Sequence, residues 1–279
     1  MRFEKWQALG NDYVVIEEDE LHFELTPNRV QRICAAHFGC HSDGILLLSR
    51  SDDERFVAHL RIFNPDGSEA ELSGNGAREA VLYLRRAGWT EEDTFSILTA
   101  AGEITPTLTG PGSASIAMGR AATSSPDFPG GPADGRGRVD VGGVEREFQH
   151  VSIGNPQCAI EVRDGLEELD LSAVGPPIES SRLFPNRTNV SFWRQDEDAI
   201  RARIFERGVG ETLSSGTGAS GAAIAAYLRG AASPMTVRLD GGDLEVEVTE
   251  RLDVRLTGEA APVFAAEFSP EFVAELERA

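Results

Sequence analysis

The chain has 279 residues, 41% of them hydrophobic, and a formal net charge of −20, a length that permits two domains or one large one with well-formed cores. That charge argues against nucleic acid and anionic lipid as partners, and no apolar run approaches the roughly 20 residues of a membrane span. The start, Met1-Arg-Phe-Glu-Lys-Trp6, lacks a signal-peptide core, so a cytosolic protein is expected, and Cys34, Cys40 and Cys158 with five scattered histidines make neither a disulfide framework nor a metal cluster.

Residues 3–16 read as a hairpin turning at Gly10-Asn11-Asp12. Thr26 caps a helix with Pro27 at its first position; Val30, Ile33, Cys34 and His37 form its inner face and Gly39 stops it. Ile45-Leu-Leu-Leu48 is a buried strand, and residues 58–63 alternate as a second one. A polar turn and a Gly-rich loop follow, then a helix with Ala77, Ala80, Val81 and Leu84 at i, i+3, i+4 and i+7. Strands are expected over 94–99, 103–108 and 115–118, and residues 119–138, rich in Gly, Pro, Ser and Asp, read as a domain boundary or mobile insertion. Strands resume over 144–151 and 157–162; residues 164–174 form a short helical stretch that Pro176-Pro177 ends. A strand opens at Thr188-Asn189-Val190 and another covers 200–205, before an apolar helix from Ala219 to Leu228 that should be deeply buried. Strands over 235–239, 244–248 and 254–256 and a helix over 270–278 complete a β-rich chain.

The chain repeats itself. Arg61-Ile-Phe-Asn-Pro-Asp-Gly-Ser-Glu-Ala-Glu-Leu-Ser-Gly-Asn-Gly-Ala77 returns as Arg203-Ile-Phe-Glu-Arg-Gly-Val-Gly-Glu-Thr-Leu-Ser-Ser-Gly-Thr-Gly-Ala219, an ungapped offset of 142 with eight of seventeen positions identical. Those eight include Ser73/Ser215 and the glycines that open the following helix. A second pair of turns, Leu9-Gly10-Asn11 and Ile153-Gly154-Asn155, recurs at offset 144. One repeat of half the chain indicates duplication into two similar domains, and a ligand between them would meet two similar loops from opposite sides. Each Gly-rich loop stands at a helix N-terminus, where unpaired N–H groups and a partial positive charge suit a carboxylate or phosphate, and glycine lets the ligand approach the backbone. The loops lack the Gly-Lys-Ser/Thr of nucleotide hydrolases, and Lys5 is the chain's one lysine. The strong acidic bias fits a saline cytosol in which salt screens self-repulsion.

At these motifs the chain resembles diaminopimelate epimerase. The matching stretches are Ala8-Leu-Gly-Asn-Asp12, Ser42-Asp-Gly44, residues 61–71, Gly74-Asn-Gly-Ala-Arg78, Gly154-Asn-Pro156, Thr188-Asn-Val190, Glu206-Arg-Gly208, Gly210-Glu-Thr-Leu213 and Gly216-Thr-Gly218, which span nearly the whole chain. The resemblance implies an α+β fold of two pseudo-symmetric domains, each a curled, mostly antiparallel sheet around a central helix. The expected domains are 1–118 and 119–262, with 263–279 packing back on the first. It implies a cofactor-independent epimerase interconverting L,L- and meso-diaminopimelate: one group removes the α-proton and its counterpart in the other half returns a proton to the opposite face. It also implies a homodimer, an amino-acid substrate and no metal. Asn64, Asn189 and Arg207 would hold the distal end of that substrate with help from Asn11 and Asn155, and Gly74, Asn75, Gly216 and Thr217 would meet the reacting end.

Two departures bear on the chemistry. The family's proton carriers are cysteines, and here those positions are Ser73 and Ser215; the family's Gly-Asn-Pro-His reads Gly154-Asn-Pro-Gln157, so the pKa-tuning position is Gln157. A hydroxyl is far harder to ionise than a thiol and needs an adjacent base, for which Glu206 and Glu211 are the candidates. The same serines would also serve as helix N-caps without chemistry. A non-catalytic diaminopimelate-binding relative, or another isomerase of the superfamily that works through carboxylates, are the alternatives these departures leave open.

Overall fold

In the computed structural model, which describes all of residues 1–279, the elements run in chain order. They are β1 (Arg2–Ala8), β2 (Asn11–Glu17), α1 (Pro27–Cys34), β3 (Ile45–Ser49), β4 (Ala58–Phe63), β5 (Glu69–Ala70), α2 (Gly74–Arg86), β6 (Ile97–Thr99), β7 (Gly102–Ile104), β8 (Thr107–Gly110) and β9 (Ser113–Arg120). Then follow β10 (Arg136–Val141), β11 (Val144–Ser152), β12 (Pro156–Glu161), α3 (Leu171–Glu179), β13 (Asn189–Gln195), β14 (Ile200–Glu206), β15 (Gly210–Thr212), α4 (Gly216–Tyr227), β16 (Met235–Leu239), β17 (Gly242–Val248), β18 (Asp253–Glu259), β19 (Ala261–Glu267) and α5 (Pro270–Arg278). No helix is long and apolar enough to cross a membrane.

The chain divides into two units, residues 1–116 with 258–279, and residues 117–257. These bounds lie a few residues from 118/119 and 262/263 because they fall inside β9 and near the end of β18, continuous strands with no break in composition. The first unit carries a sheet of order β19-β1-β2-β3-β4-β6-β7 with β5 paired to β4. The second carries β10-β11-β12-β13-β14-β16-β17-β18 with β15 paired to β14. The duplication extends to the ladder itself. β2/β3 and β12/β13 are parallel, β3/β4 and β13/β14 antiparallel, and β4/β6 and β14/β16 parallel again. Register repeats too: Ile62 faces Ala70 and Phe63 faces Glu69, as Ile204 faces Thr212 and Phe205 faces Glu211.

Strand alternation explains both faces of the first sheet. Tyr13 and Val15 of β2 and Leu46 and Leu48 of β3 pack toward α2 with Trp6, Leu60, Ala80 and Val81. The intervening Val14, Ile16, Ile45 and Leu47 pack with Val30 and Ile33 of α1 and Leu276 of α5. A strand apolar on both sides is buried on both sides, and truncating a side chain such as Leu46, which is 0% exposed, to alanine costs about 2–5 kcal/mol. β19 extends this sheet by pairing antiparallel with β1.

The second unit wraps β11–β14, β16 and β17 around α4. Its Ala- and Gly-rich sequence is buried from Gly218 through Ala226 because small residues let strands approach from every side. At Gly218 a Cβ would lie 2.7 Å from the Ile204 side chain, and at the equivalent Gly76 of α2 it would lie 2.9 Å from Leu46. Both helices thus start hard against a sheet strand, where a Cβ would force the facing side chain to shift.

Three expectations need correction. The helix after Pro27 ends at Cys34, so His37 is not on its inner face: the chain turns early because the Cys40 amide donates to the Ile33 carbonyl and the Gly39 amide to that of Ala35. Residues 119–138 lie just past the division between the units at 116/117 and are not a mobile insertion. Phe128 is buried against Phe148 and Phe184, with ring centroids 5.3 and 5.6 Å away, and this anchor ties the segment to the second unit. Pro176 and Pro177 lie inside α3 rather than ending the stretch. Asp170 starts that helix by accepting from the Ser172 and Ala173 amides, and packing of Gly175 on Phe205, with Leu171 and Ile178 buried, outweighs the lost backbone bonds.

Candidate active site

Ser73 and Ser215 occupy the same place in their units. Each has extended backbone, caps a central helix, and accepts a hydrogen bond from the amide three residues on, Gly76 at 3.1 Å and Gly218 at 3.2 Å. A helix start leaves its first N–H groups without intrahelical partners. The caps use the third amide of each helix, so the amides of Gly74 and Asn75, and of Gly216 and Thr217, are left without an intrahelical partner. The partial positive charge of the terminus favours an anion there.

In the first unit a chain of hydrogen bonds holds the loop before α2. Asn75 donates to Asn11 Oδ1 at 3.1 Å, Asn11 donates to Asp43 Oδ2 at 2.8 Å, and Asp43 also accepts from the Asp12 amide at 3.1 Å. Lys5 pairs with Asp12 at 3.1 Å. Beneath this chain Arg78 is fully buried and donates to Asn75 Oδ1 at 2.6 Å and to the Gly74 carbonyl at 3.2 Å. Burial brings the Arg78 guanidinium down to about 10, with neighbouring Glu79 opposing the fall. Glu79 is also fully buried; burial pushes its carboxyl well up, Arg78 and the Tyr13 amide pull it down, and Asp12 and Asp43 add to the rise. Ser73 itself receives the Tyr13 hydroxyl at 3.3 Å. Asn64 does not reach it: the Asn64 amide bonds Ser68 Oγ at 2.9 Å.

The second unit repeats the frame with different chemistry. Asn155 donates to Thr217 Oγ1 at 3.3 Å, as its counterpart Asn11 bonds Asn75. Gln157 is buried and donates to Asn155 Oδ1 at 2.7 Å, so it orients that asparagine rather than touching Ser215. The partner of Ser215 is Glu206: the serine hydroxyl donates to Oε2 at 2.9 Å, and Thr212 holds Oε1 at 2.8 Å. Glu211, the other candidate base, is excluded from that role because Arg203 binds its carboxylate at 2.7 and 3.0 Å; Arg61 does the same to Glu69 at 2.9 Å. Asn189 and Arg207 are brought together, the Arg207 amide donating to Asn189 Oδ1 at 2.8 Å, while the exposed Arg207 guanidinium bonds the Asn186 carbonyl at 2.8 Å. Glu179 fixes this loop by accepting from the Gly208 amide at 2.7 Å and pairing with Arg187 at 2.7 Å.

No cysteine stands in for a missing thiol. Burial raises Cys34 to about 12 and Cys40 to about 11, and pushes the fully buried Cys158 well up, so all three remain neutral near pH 7. Sequence reasoning missed Tyr13 as the partner of Ser73. The signal was present: Tyr13 follows Asn11 by two residues, as Gln157 follows Asn155, at the offset of 144 that relates the two turns.

The model of the family described as diaminopimelate epimerase matches residues 3–124 and 149–263. A diaminopimelate epimerase 2 from Nostoc sp. (strain PCC 7120) is 38% identical, the alignment covering 98% of each chain. A diaminopimelate epimerase from Synechococcus sp. (strain JA-3-3Ab) is also 38% identical over 95% of this chain and 97% of its own. Among solved structures, a phenazine biosynthesis protein of the PhzF family from Bacillus anthracis superposes with a TM-score of 0.71 at 18% identity, covering 96% of this chain and 99% of that one, a likeness of fold.

Proposed function

The chain belongs to the diaminopimelate epimerase family, and from that premise we propose that it interconverts L,L- and meso-diaminopimelate by two-base proton transfer without a cofactor, with Ser73 and Ser215 as the proton carriers. The observation that carries the reading is the contact of the Ser215 hydroxyl with Glu206 at 2.9 Å. A serine hydroxyl needs a base beside it to accept a carbon-bound proton, and Glu206 at the end of β14 accepts from the Ser215 hydroxyl that caps α4.

In this reading Gly74, Asn75, Gly216 and Thr217 present their amides to the α-carboxylate and offset charge that develops as the proton leaves. Asn11 and Asn155 hold those loops, supported by Asp43 and Gln157 respectively. Asn64, Asn189 and Arg207 bind the distal amino-acid end; the planar guanidinium of Arg207 suits a carboxylate. Such an enzyme serves lysine and peptidoglycan precursor synthesis. We also propose a cytosolic homodimer: three free thiols support a reducing compartment, and light scattering tests the dimer. The acidic surface, with its net charge of −20, supports a small-molecule rather than a nucleic-acid partner.

The test is chiral separation of the two isomers after incubation of the protein with L,L-diaminopimelate. Formation of the meso isomer, lost in Ser73→Ala and in Ser215→Ala, supports the reading. Binding of substrate to folded protein without any meso product rejects it.

A further inference from the structure

We propose that Tyr13 is a positioning residue of this reaction, holding Ser73 as a proton donor, as Glu206 holds Ser215 as a proton acceptor. The inference rests on the epimerase reading above. It follows from the direction of each hydrogen bond. Ser215 accepts from the Gly218 amide at 3.2 Å and donates its own proton to Glu206 at 2.9 Å. An ionised carboxylate only accepts, so the Ser215 proton is committed to Glu206 and a lone pair on its oxygen is left to take a proton. Ser73 stands the other way round. Its oxygen accepts from the Gly76 amide at 3.1 Å and from the Tyr13 hydroxyl at 3.3 Å. Neither contact uses the Ser73 proton, which is therefore available to give.

The aim of the phenol is fixed by packing. Tyr13 is only 5% exposed, in the layer of β2 that faces α2. Gly44 lies against its ring, and a Cβ there would come within 2.7 Å of the Tyr13 Cε1 atom. The other unit has no such phenol: Gln157 takes the equivalent place and bonds Asn155. Conversely, the place of Glu206 is taken in the first unit by Asn64, which bonds Ser68. Each serine thus draws its partner from a different strand, β2 in one unit and β14 in the other, and the partners have opposite proton character.

The transfers balance. Ser215 takes the α-proton, leaving the C–H electron pair on carbon, and passes its own hydroxyl proton to Glu206. Ser73 gives its proton to that electron pair and takes the Tyr13 phenol proton in turn, the phenol being far more acidic than an aliphatic hydroxyl, while the Gly76 N–H holds the Ser73 oxygen. On product release water takes the proton from Glu206 and returns one to Tyr13; the reverse reaction runs the same transfers backwards.

Tyr13→Phe and Glu206→Gln test this in D2O, each assayed from L,L- and from meso-diaminopimelate for inversion and for α-deuteration of recovered substrate. In Tyr13→Phe inversion should fall about tenfold, less than the 10²- to 10⁴-fold of a proton-transfer group itself, while the ratio of exchange to inversion rises for one starting isomer only. In Glu206→Gln that ratio should rise for the other isomer. Because phenylalanine keeps the buried ring, a loss of packing would instead lower exchange and inversion by one common factor from both isomers. That common fall, or parent-like rates in Tyr13→Phe, overturns the role of Tyr13. If Tyr13→Phe does not fold, the Glu206→Gln ratios decide alone: a rise confined to one isomer supports the proposal and an equal fall in both defeats it. A parent protein that neither exchanges nor inverts bound substrate removes the epimerase reading itself, and the proposal with it.

Discussion

The two halves of this molecule share one frame and differ in what touches the serine. Ladder pattern, helix cap, Arg–Glu pair and asparagine turn recur in both units, yet Ser215 meets the carboxylate of Glu206 and Ser73 meets the phenol of Tyr13. Duplication fixed where each hydroxyl stands. The residues that lie at offsets 142 and 144, Asn64 against Glu206 and Tyr13 against Gln157, then set what each hydroxyl can do. For serines in place of thiols this difference matters more than it would for cysteines, because a hydroxyl has little acidity of its own and takes its chemistry from its neighbour.

The comparison is sharpest when a serine is removed. Ser73→Ala and Ser215→Ala should each lower kcat for inversion on the order of 10²- to 10⁴-fold, the range of a proton-transfer group, in a chiral assay of meso product. Next in size, Glu206→Gln should cost about 10²-fold in the parent but much less in a Ser215→Cys background, since a thiol at a helix N-terminus ionises without that base. An equal loss in both backgrounds would mean that Glu206 acts on substrate rather than on residue 215.

The repeated ion pair gives a comparison of stability. Arg203 is nearly buried and, besides Glu211, donates to the carbonyls of Leu166 and Leu169 at 2.9 and 2.8 Å. Arg61 is one-third exposed and its bonds go to Glu69. Urea melts should therefore show a loss of about 2–3 kcal/mol for Arg203→Ala, where buried acceptors are left unpaired, against about 1 kcal/mol or less for Arg61→Ala. Similar losses would show that burial does not separate the two pairs.

A pH effect separates the units as well: Glu79 is buried in the first, and its equivalent in the second is Gly221. The folded protein holds the Glu79 proton more tightly than the unfolded chain does. Its contribution is therefore fully present below the ordinary carboxylate range and is lost as pH rises toward the raised folded value. Relative to the parent, Glu79→Gln should lack this decline, which is at most about 1.4 kcal/mol per pH unit. Urea midpoints for both proteins at pH 5 and pH 8 measure it, and parallel slopes would contradict it.

Much of this comparison was legible in the sequence because its main features are local. A strand, a turn, a capping serine and a glycine that lets the helix start against the sheet occupy seventeen consecutive residues, and their repetition marks both half-sites. What was not legible depends on packing between distant segments. Tyr13 reaches Ser73 because β2 lies under the start of α2, sixty residues further on. Glu211 stood as a second candidate beside Glu206 until the β14/β15 hairpin set it against Arg203. The shortened α1 and the prolines inside α3 have the same origin: backbone capture by residues 39 and 40 in one case, and contact with Phe205 in the other, overrode the local signals.

The central claim is that one group removes the α-proton and a different group returns one. First-turnover product formed from unlabelled L,L-diaminopimelate in D2O tests it most directly. The account predicts that the meso product carries deuterium at the inverted centre from the first turnover while unreacted substrate stays almost unlabelled, because the proton removed and the one returned come from different groups. Meso product that retains the substrate's own proton at that centre would contradict it.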